Sequence, residues 1–209
     1  LPRDAVVLLT GRSEVAELLE QDGTVDLVIP RGGEGLIRYV TRNSRIPVIQ
    51  HYKGVCHVYV DESADAEMAH AIVVNAKVQR PGVCNALETL LVHGDVPAEF
   101  LVDLIADLQV QGVEIRGCER TCALVDGLTP ATEEDWDTEY LDLILSVRVV
   151  DDLDVAIEHI RLHGSDHTEA IVTNDYSAAN EFVARIPSSA TIVNASTRFN
   201  DGFELGLGA

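Results

Sequence analysis

Lysine is nearly missing from this chain of 209 residues, and positive charge is scarce as a whole. Only Lys53 and Lys77 are lysines, and 15 basic residues stand against 35 acidic ones, which leaves a net charge of −20. Nucleic acids and anionic membrane surfaces both require an excess of positive charge at the contact. The composition therefore argues against nucleic acid and membranes as partners, and an anionic ligand must be held by a few locally placed cations.

Long apolar runs and a charged leader segment are also missing. No stretch approaches the roughly 20 apolar residues of a membrane-spanning helix. Hydrophobic residues make up 46% of the chain and charged residues 24%, as in ordinary globular proteins. A chain of this length can bury a good core in one or two domains. We therefore expect a cytoplasmic protein.

Cysteine is sparse as well, with four residues at Cys56, Cys84, Cys118 and Cys122. A chain this large and apolar needs no disulfides, so we predict reduced thiols. One combination could be considered as a metal site: Cys118 and Cys122 with His163 and His167. The two cysteines lack the usual C-x-x-C spacing, and the histidines lie some 40 residues further on. The prediction is therefore that no metal is bound.

One cysteine stands at a break between two regular elements. The segment from Asn75 to His93 reads NAKVQRPGVCNALETLLVH: an apolar helical run ends at Pro81-Gly82, Cys84 follows, and the sequence then becomes strand-like. Such a break can leave backbone amides free and let a substrate approach, which suits a nucleophile. The alternative is a small buried residue that fills a turn.

Strand-like and helical segments alternate along the chain, which predicts the α/β class, a layered α/β/α sandwich with helices on both faces of a sheet. The connection at 132–137 is acidic and is predicted to be solvated. Strands are predicted at 5–9, 25–29, 47–50, 55–60, 89–92, 113–116, 122–125, 141–150, 170–173 and 190–193. Helices are predicted after an N-cap at Ser13 and at 35–43, 64–77, 97–110, 153–162 and 178–185.

Five ordered blocks resemble motifs of the gamma-glutamyl phosphate reductase family, within the aldehyde dehydrogenase superfamily. Besides the Asn75–His93 segment, they are PRGG from Pro30, HVYVD from His57, GSDHTE from Gly164 and NASTRF from Asn194. The resemblance covers essentially all of this chain. It implies an aldehyde dehydrogenase-like catalytic domain at 51–209, preceded at 1–50 by the end of the cofactor-binding domain. The family's N-terminal cofactor region and C-terminal tail are expected to be absent.

The resemblance also implies an activity. The family reduces L-glutamyl 5-phosphate with NADPH to L-glutamate 5-semialdehyde through a cysteine thioester and releases phosphate, which is the second step of proline biosynthesis. A homo-oligomer and glutamate 5-kinase are the implied partners. Two alternatives stay open, a hydrolytic NAD(P)-dependent aldehyde dehydrogenase and a non-catalytic oligomerisation module of the same fold.

Catalytic and substrate-binding residues follow from the same alignment. Cys84 is the implied nucleophile, and its own amide can serve as one oxyanion donor. Arg198 could pair bidentately with a phosphate or the α-carboxylate, or it could be an ordinary surface arginine. Asn85 could complete the oxyanion hole or be structural. The remaining implied substrate contacts are Ser165, His167 and Thr168.

Cofactor contacts are implied at Glu139 and at the turn formed by Arg31, Gly32 and Gly33. A carboxylate suits the two vicinal hydroxyls of a nicotinamide ribose because it accepts two hydrogen bonds, and a glycine turn between a strand and a helix lets the backbone approach a nucleotide. On the sequence alone, those glycines could simply permit a positive φ. His51 stands about where hydrolytic relatives carry a glutamate base, which favours the phosphate-dependent reaction.

Overall fold

The computed structural model of the protein describes residues 2, 5–50 and 53–207. Its contacts divide the chain into two compact units, Leu1–Lys53 and Gly54–Ala209. The roles predicted for residues 1–50 and 51–209 stay predictions. None of the helices in the described ranges combines the length and the apolar character of a membrane span.

The first unit contains two helices, α1 (Arg12–Leu18) and α2 (Glu34–Asn43). The cap predicted at Ser13 is wrong, because the N-cap of α1 is Gly11. The carboxylate of Glu14 accepts hydrogen bonds from the amides of Thr10 and Gly11 at 2.7 and 3.0 Å. An acidic side chain one turn into the helix therefore satisfies amides at its start, which is the task expected of the serine.

The three strands predicted in the first unit do not form. Residues 5–9 have no strand assignment, and Val6, Val7 and Leu8 are 70 to 85% exposed. Segments 25–29 and 47–50 meet only at a single parallel bridge between Val28 and Val48. An apolar run becomes a strand only where another strand pairs with it and one face is buried. Within the described residues of this unit, that condition is met at one bridge alone.

The second unit is built on one seven-stranded sheet, and every strand pair in it is parallel. The strands are β1 (Cys56–Val60), β2 (Leu87–His93), β3 (Glu114–Gly117), β4 (Thr129–Pro130), β5 (Ile144–Val150), β6 (Thr168–Val172) and β7 (Ala190–Val193). Their order across the sheet is β4-β3-β5-β2-β1-β6-β7. Cys56 at the start of β1 pairs with Leu87 at the start of β2. The segments that enter these two neighbouring strands therefore lie side by side at the amino-terminal end of the strands.

Helices cover both faces of this sheet. They are α3 (Ala66–Val78), α4 (Ala98–Val110), α5 (Glu119–Leu124), α6 (Glu133–Trp136), α7 (Leu153–His163) and α8 (Tyr176–Arg185), followed by a 3-10 turn at Thr197–Phe199. Val58 and Val60 of β1 belong to one core cluster with residues of α3 and α4, whereas Tyr59 between them packs with residues of α7 and α8. Alternate strand residues point to opposite faces. The predicted α/β/α sandwich is therefore confirmed.

Three local predictions in this unit are wrong. Residues 122–125 do not form a strand, since most of them belong to α5, where the hydroxyl of Thr121 donates to the carbonyl of Val147 at 3.2 Å. The connection at 132–137 contains α6, whose Asp135 is buried. β5 begins at Ile144 rather than 141, because Leu141 has φ +56°, outside the strand region. Short apolar runs do not distinguish a strand from one helical turn.

Candidate active site

Cys84 lies on the eight-residue connection between α3 and β2 and is partly exposed. Lys77 in the last turn of α3 and Glu88 at the second position of β2 face each other at the base of this connection. Lys77 Nζ and Glu88 Oε2 are 2.8 Å apart, and both side chains are fully buried. Cys84 is therefore an accessible thiol on a loop whose two ends are joined by a buried ion pair.

The backbone that enters β1 packs directly against Cys84. A Cβ atom added at Gly54 would lie 1.8 Å from the carbonyl oxygen of Cys84 and 2.6 Å from its Cα, so only glycine fits there. The thiol of Cys56 donates a hydrogen bond to the same carbonyl oxygen, with an Sγ–O distance of 3.2 Å. Burial raises the pKa of Cys56 well above its ordinary value, which keeps this thiol a neutral donor. Both contacts hold the backbone of Cys84 in place.

The same segment brings two predicted site residues together. The amide of Gly54 donates to Glu139 Oε1 at 2.8 Å, and the amide of Val55 donates to Ser165 Oγ at 2.9 Å. Glu139 and Ser165 come from separate loops that precede β5 and β6. These bonds place both side chains beside the backbone that touches Cys84.

His167 ends the loop that leads into β6, and Thr168 is the first residue of that strand. His167 Nδ1 lies 2.7 Å from Thr168 Oγ1 and 3.7 Å from Cys56 Sγ. Thr168 is fully buried, and its hydroxyl accepts a hydrogen bond from Asn200 Nδ2 at 2.8 Å. His167 therefore contacts Cys56, whose thiol bonds to the carbonyl of Cys84. Thr168 connects the start of β6 to Asn200 inside the protein.

Asn85 and Arg198 contact each other. Arg198 donates to the side-chain oxygen of Asn85, and its Nε donates to Gln79 Oε1 at 2.8 Å. In return, Asn85 Nδ2 donates to the backbone carbonyl of Asn200 at 3.0 Å. Arg198 lines a small cavity of about 120 Å³ together with Asn75, Gln79, Phe199 and the acidic Glu204. The hydrogen-bond partners Asn85 and Gln79 of Arg198 are neutral amides, and Glu204 is the carboxylate in the lining of this cavity.

Sequence reasoning missed a second buried pair of titratable side chains next to the site. The backbone amide and Nδ1 of His57 both lie near Glu169 Oε2, at 2.7 and 3.0 Å, and both side chains are fully buried. Burial raises the pKa of Glu169. The two residues lie within the HVYVD and GSDHTE blocks, so the blocks themselves were the available signal. Lys77 and Glu88 likewise lie within the Asn75–His93 block, whereas Gly54 and Cys56 lie outside all five blocks and were missed for want of such a signal.

The Arg31-Gly32-Gly33 turn lies in the first unit. Gly32 has φ +151°, which favours glycine, and Gly33 is the N-cap of α2. A helix that starts on such a turn presents backbone amides to an anion. Glu34 adds a negative charge in the first turn, but it is paired with Arg38 at 2.6 Å. The turn therefore presents backbone amides at the start of α2, and Arg31 is the one cationic side chain among its three residues.

Metal-ligating residues come together at a different place from Cys84. Glu62, His93 and Asp95 each offer one atom within 4.8 Å of the others. His93 Nδ1, however, accepts a hydrogen bond from the amide of Asp95 at 3.0 Å, which places the imidazole proton on Nε2 and leaves no ring lone pair for a metal. Of the sequence candidates, His163 Nδ1 bonds to Asp137 at 2.8 Å. The prediction made at His51 lies outside the described residues.

Comparisons of this chain with known proteins point to one family. A sequence model described as the aldehyde dehydrogenase family matches residues 1–115. Gamma-glutamyl phosphate reductases of Desulfatibacillum aliphaticivorans and Nautilia profundicola are 58% and 55% identical to this chain over 211 aligned residues. The alignments cover 100% of this chain and 50% and 51% of those proteins. The chain thus spans about half the length of these curated relatives.

A solved structure agrees. The crystal structure of gamma-glutamyl phosphate reductase from Thermotoga maritima superposes with a TM-score of 0.92 at 50% identity, covering 96% of this chain and 48% of that one.

Proposed function

Because this chain belongs to the aldehyde dehydrogenase family, we propose that it forms the nucleophile-bearing half of a gamma-glutamyl phosphate reductase. One observation carries the proposal: a partly exposed cysteine with a closely packed backbone lies in a chain that aligns over 100% of its own length, at 58% identity, with 50% of such a reductase. The complete enzyme would reduce L-glutamyl 5-phosphate to L-glutamate 5-semialdehyde with release of phosphate. This reaction is the second step of proline biosynthesis.

Cys84 is the proposed nucleophile. Its thiolate attacks the acyl carbon, the bond from that carbon to the phosphate oxygen breaks, and phosphate leaves with the electron pair, so that a glutamyl thioester forms. The backbone amide of Cys84 is the proposed donor to the negative oxygen of the tetrahedral intermediate. NADPH, when bound, supplies the hydride that reduces the thioester. The thiohemiacetal on Cys84 then collapses, which releases the aldehyde and restores the thiolate.

The substrate contacts divide into two kinds. Arg198 is proposed to bind the phosphate or the α-carboxylate, since its charge faces neutral amide partners beside the Cys84 loop. The Ser165 hydroxyl accepts the Val55 amide and keeps its own proton to donate to the substrate, and His167 is proposed to act beside it. The contacts of Asn85 and Thr168 with Asn200 support a positioning role for these two residues.

Glu139 and the Arg31-Gly32-Gly33 turn are the proposed cofactor contacts, each in its own unit. The bond from the Gly54 amide uses one oxygen of Glu139, so the second carboxylate oxygen keeps its capacity for a ribose hydroxyl. The α2 start offers backbone amides for a phosphate group. A cytoplasmic homo-oligomer that receives its substrate from glutamate 5-kinase completes the proposal.

Substitution of the nucleophile tests the proposed function. In the full-length enzyme, Cys84→Ser is expected to lower kcat for glutamate semialdehyde oxidation by more than about 10³-fold, because the weaker nucleophile does not form the acyl intermediate efficiently. Cys122→Ser is the matched control and is expected to keep the parent rate. Undiminished turnover in Cys84→Ser would exclude this thiol as the nucleophile.

A further inference from the structure

A fully buried ion pair of lysine and glutamate sits next to the Cys84 loop. The side chains of Lys77 and Glu88 are both 0% exposed. In the ion pairs that arginine forms among the described residues, the arginine side chain is at least 29% exposed. Taking two charges out of water costs about as much as their attraction returns, and well-packed apolar residues often stabilise a protein equally well. Stability alone is therefore a poor explanation for this pair.

The first consequence of the pair is that it closes the Cys84 loop. Lys77 is the penultimate residue of α3, and Glu88 is the second residue of β2. Their contact at 2.8 Å joins the two ends of the connection that carries Cys84. Because both side chains are buried, neither can reach a substrate.

The second consequence runs through the other oxygen of Glu88. Glu88 Oε1 accepts a hydrogen bond from the amide of Leu141 at 3.3 Å, and Leu141 has φ +56°. A leucine in the left-handed region needs such support from its surroundings. Two residues earlier, Glu139 holds the amide of Gly54, whose backbone packs on Cys84. Glu88 is therefore connected to Cys84 in two ways. One is the chain itself, since Cys84 lies four residues before Glu88, and the other is the 139–141 segment, which holds Gly54 against Cys84.

We propose that Lys77 and Glu88 are positioning residues that keep the Cys84 loop and the 139–141 segment in their reactive arrangement. The inference rests on the proposed role of Cys84 as the nucleophile. Both residues act through Cys84 and Gly54 and take no part in bond making. Burial raises the pKa of Glu88 to about 7, with Lys77 opposing the rise, and burial lowers the pKa of Lys77, with Glu88 opposing the fall.

An apolar replacement of both residues separates positioning from stability. In the full-length enzyme, Lys77→Met with Glu88→Leu fills the same interior without charge, and it is expected to keep the parent melting temperature to within a few degrees. The rate of iodoacetamide labelling at Cys84 and kcat are each expected to fall by about tenfold or more, because a shift of about 1 Å in a reacting group costs up to about 10²-fold. Labelling of Cys118, measured in the same digest, serves as the internal standard. Parent values of both rates in a double variant of parent stability would overturn the proposal.

A milder variant keeps the test decisive if the double variant does not fold. Glu88→Gln preserves the volume but leaves one carbonyl oxygen where two carboxylate oxygens served Lys77 and Leu141, so a several-fold loss of Cys84 labelling is expected, and an unchanged rate would overturn the proposal. Arg185→Met removes an exposed ion-pair partner on α8 and is expected to change neither rate. If Cys84 of the parent enzyme is not selectively reactive, the proposed function fails as well. If it is reactive and the variants match it, only the positioning role fails.

Discussion

Gly54 offers a sharp test of how closely the reactive loop is packed. A methyl group added there would meet three backbone atoms of Cys84, the carbonyl oxygen at 1.8 Å, the carbonyl carbon at 2.5 Å and Cα at 2.6 Å. Ordinary contact begins near 3.4 Å, so the oxygen and the new methyl group must separate by about 1.6 Å. Backbone atoms cannot rotate away as a side chain does, and the movement must displace either Cys84 or the entry to β1.

The magnitude follows from that displacement. Overpacking of this kind destabilises a protein by typically about 1–3 kcal/mol, which a domain of this size usually survives. A displacement of about 1 Å at a reacting group costs on the order of 10²-fold in rate. We therefore expect Gly54→Ala in the full-length enzyme to fold and to lose about 10²-fold in kcat, with a parallel loss in the labelling rate of Cys84.

The assay needs a control variant at a glycine where an added methyl group meets no other atom. Gly23, in the turn that follows α1, has no heavy atom within 4 Å of an added Cβ, and Gly23→Ala is expected to keep the parent kcat. Equal kcat values for Gly54→Ala and Gly23→Ala would show that the backbone of Cys84 is not held as described, and would refute the reasoning.

Two further predictions concern titration. Burial raises the pKa of Asp135, but hydrogen bonds from Thr132, Arg116 and Tyr140 outweigh this and lower it to about 2. The stability that this carboxylate contributes is present above its ordinary pKa of 3.8 and is lost as the pH falls through about 2. In urea unfolding, Asp135→Asn should therefore cost about 1–2 kcal/mol near pH 7 and progressively less below pH 4. An equal cost at pH 7 and pH 2.5 would contradict this prediction. Brief iodoacetamide treatment followed by peptide mapping should label Cys84 first, with Cys118 the chief competitor, since burial opposes but hydrogen bonds from Thr121 and the Val149 amide lower the pKa of Cys118; faster labelling at Cys118 would count against Cys84 as the activated thiol.

The elements with strong periodicity could be predicted from the sequence, and those that depend on a neighbour could not. The apolar spacing along α3 and α4 and the short apolar run of β7 each specify one element, and the structure places all three where they were predicted. The runs at 5–9 and 25–29 look equally strand-like. They form no strand because pairing depends on another segment, and a single sequence does not show which one.

The candidate site divides in the same way. Cys84 was singled out because the Asn75–His93 segment as a whole resembles the family's motif; the helix breaker before it and the strand after it are in keeping with that choice but leave a turn-filling cysteine open. The contact of Gly54 with Cys84 joins residues that are far apart in the chain, and Gly54 has no distinguishing neighbours in the sequence. Lys77 carried one signal, as one of only two lysines in the chain. Its partner is a single glutamate among 35 acidic residues, so the pair became visible only through the 2.8 Å contact.

The choice of acceptor for the acyl-enzyme tests the account most directly. The segment Gln50-His-Tyr-Lys53 contains no carboxylate to activate water, and such general-base help is typically worth about 10²- to 10⁴-fold. Phosphate held by a cation such as Arg198 needs no base to attack the thioester. The measurement is NADPH formation by the full-length enzyme from glutamate semialdehyde and NADP⁺, with phosphate rigorously removed and then restored or replaced by arsenate. We predict rapid formation only when phosphate or arsenate is present, and an undiminished rate without either would mean that water is the natural acceptor and that the protein is a hydrolytic aldehyde dehydrogenase.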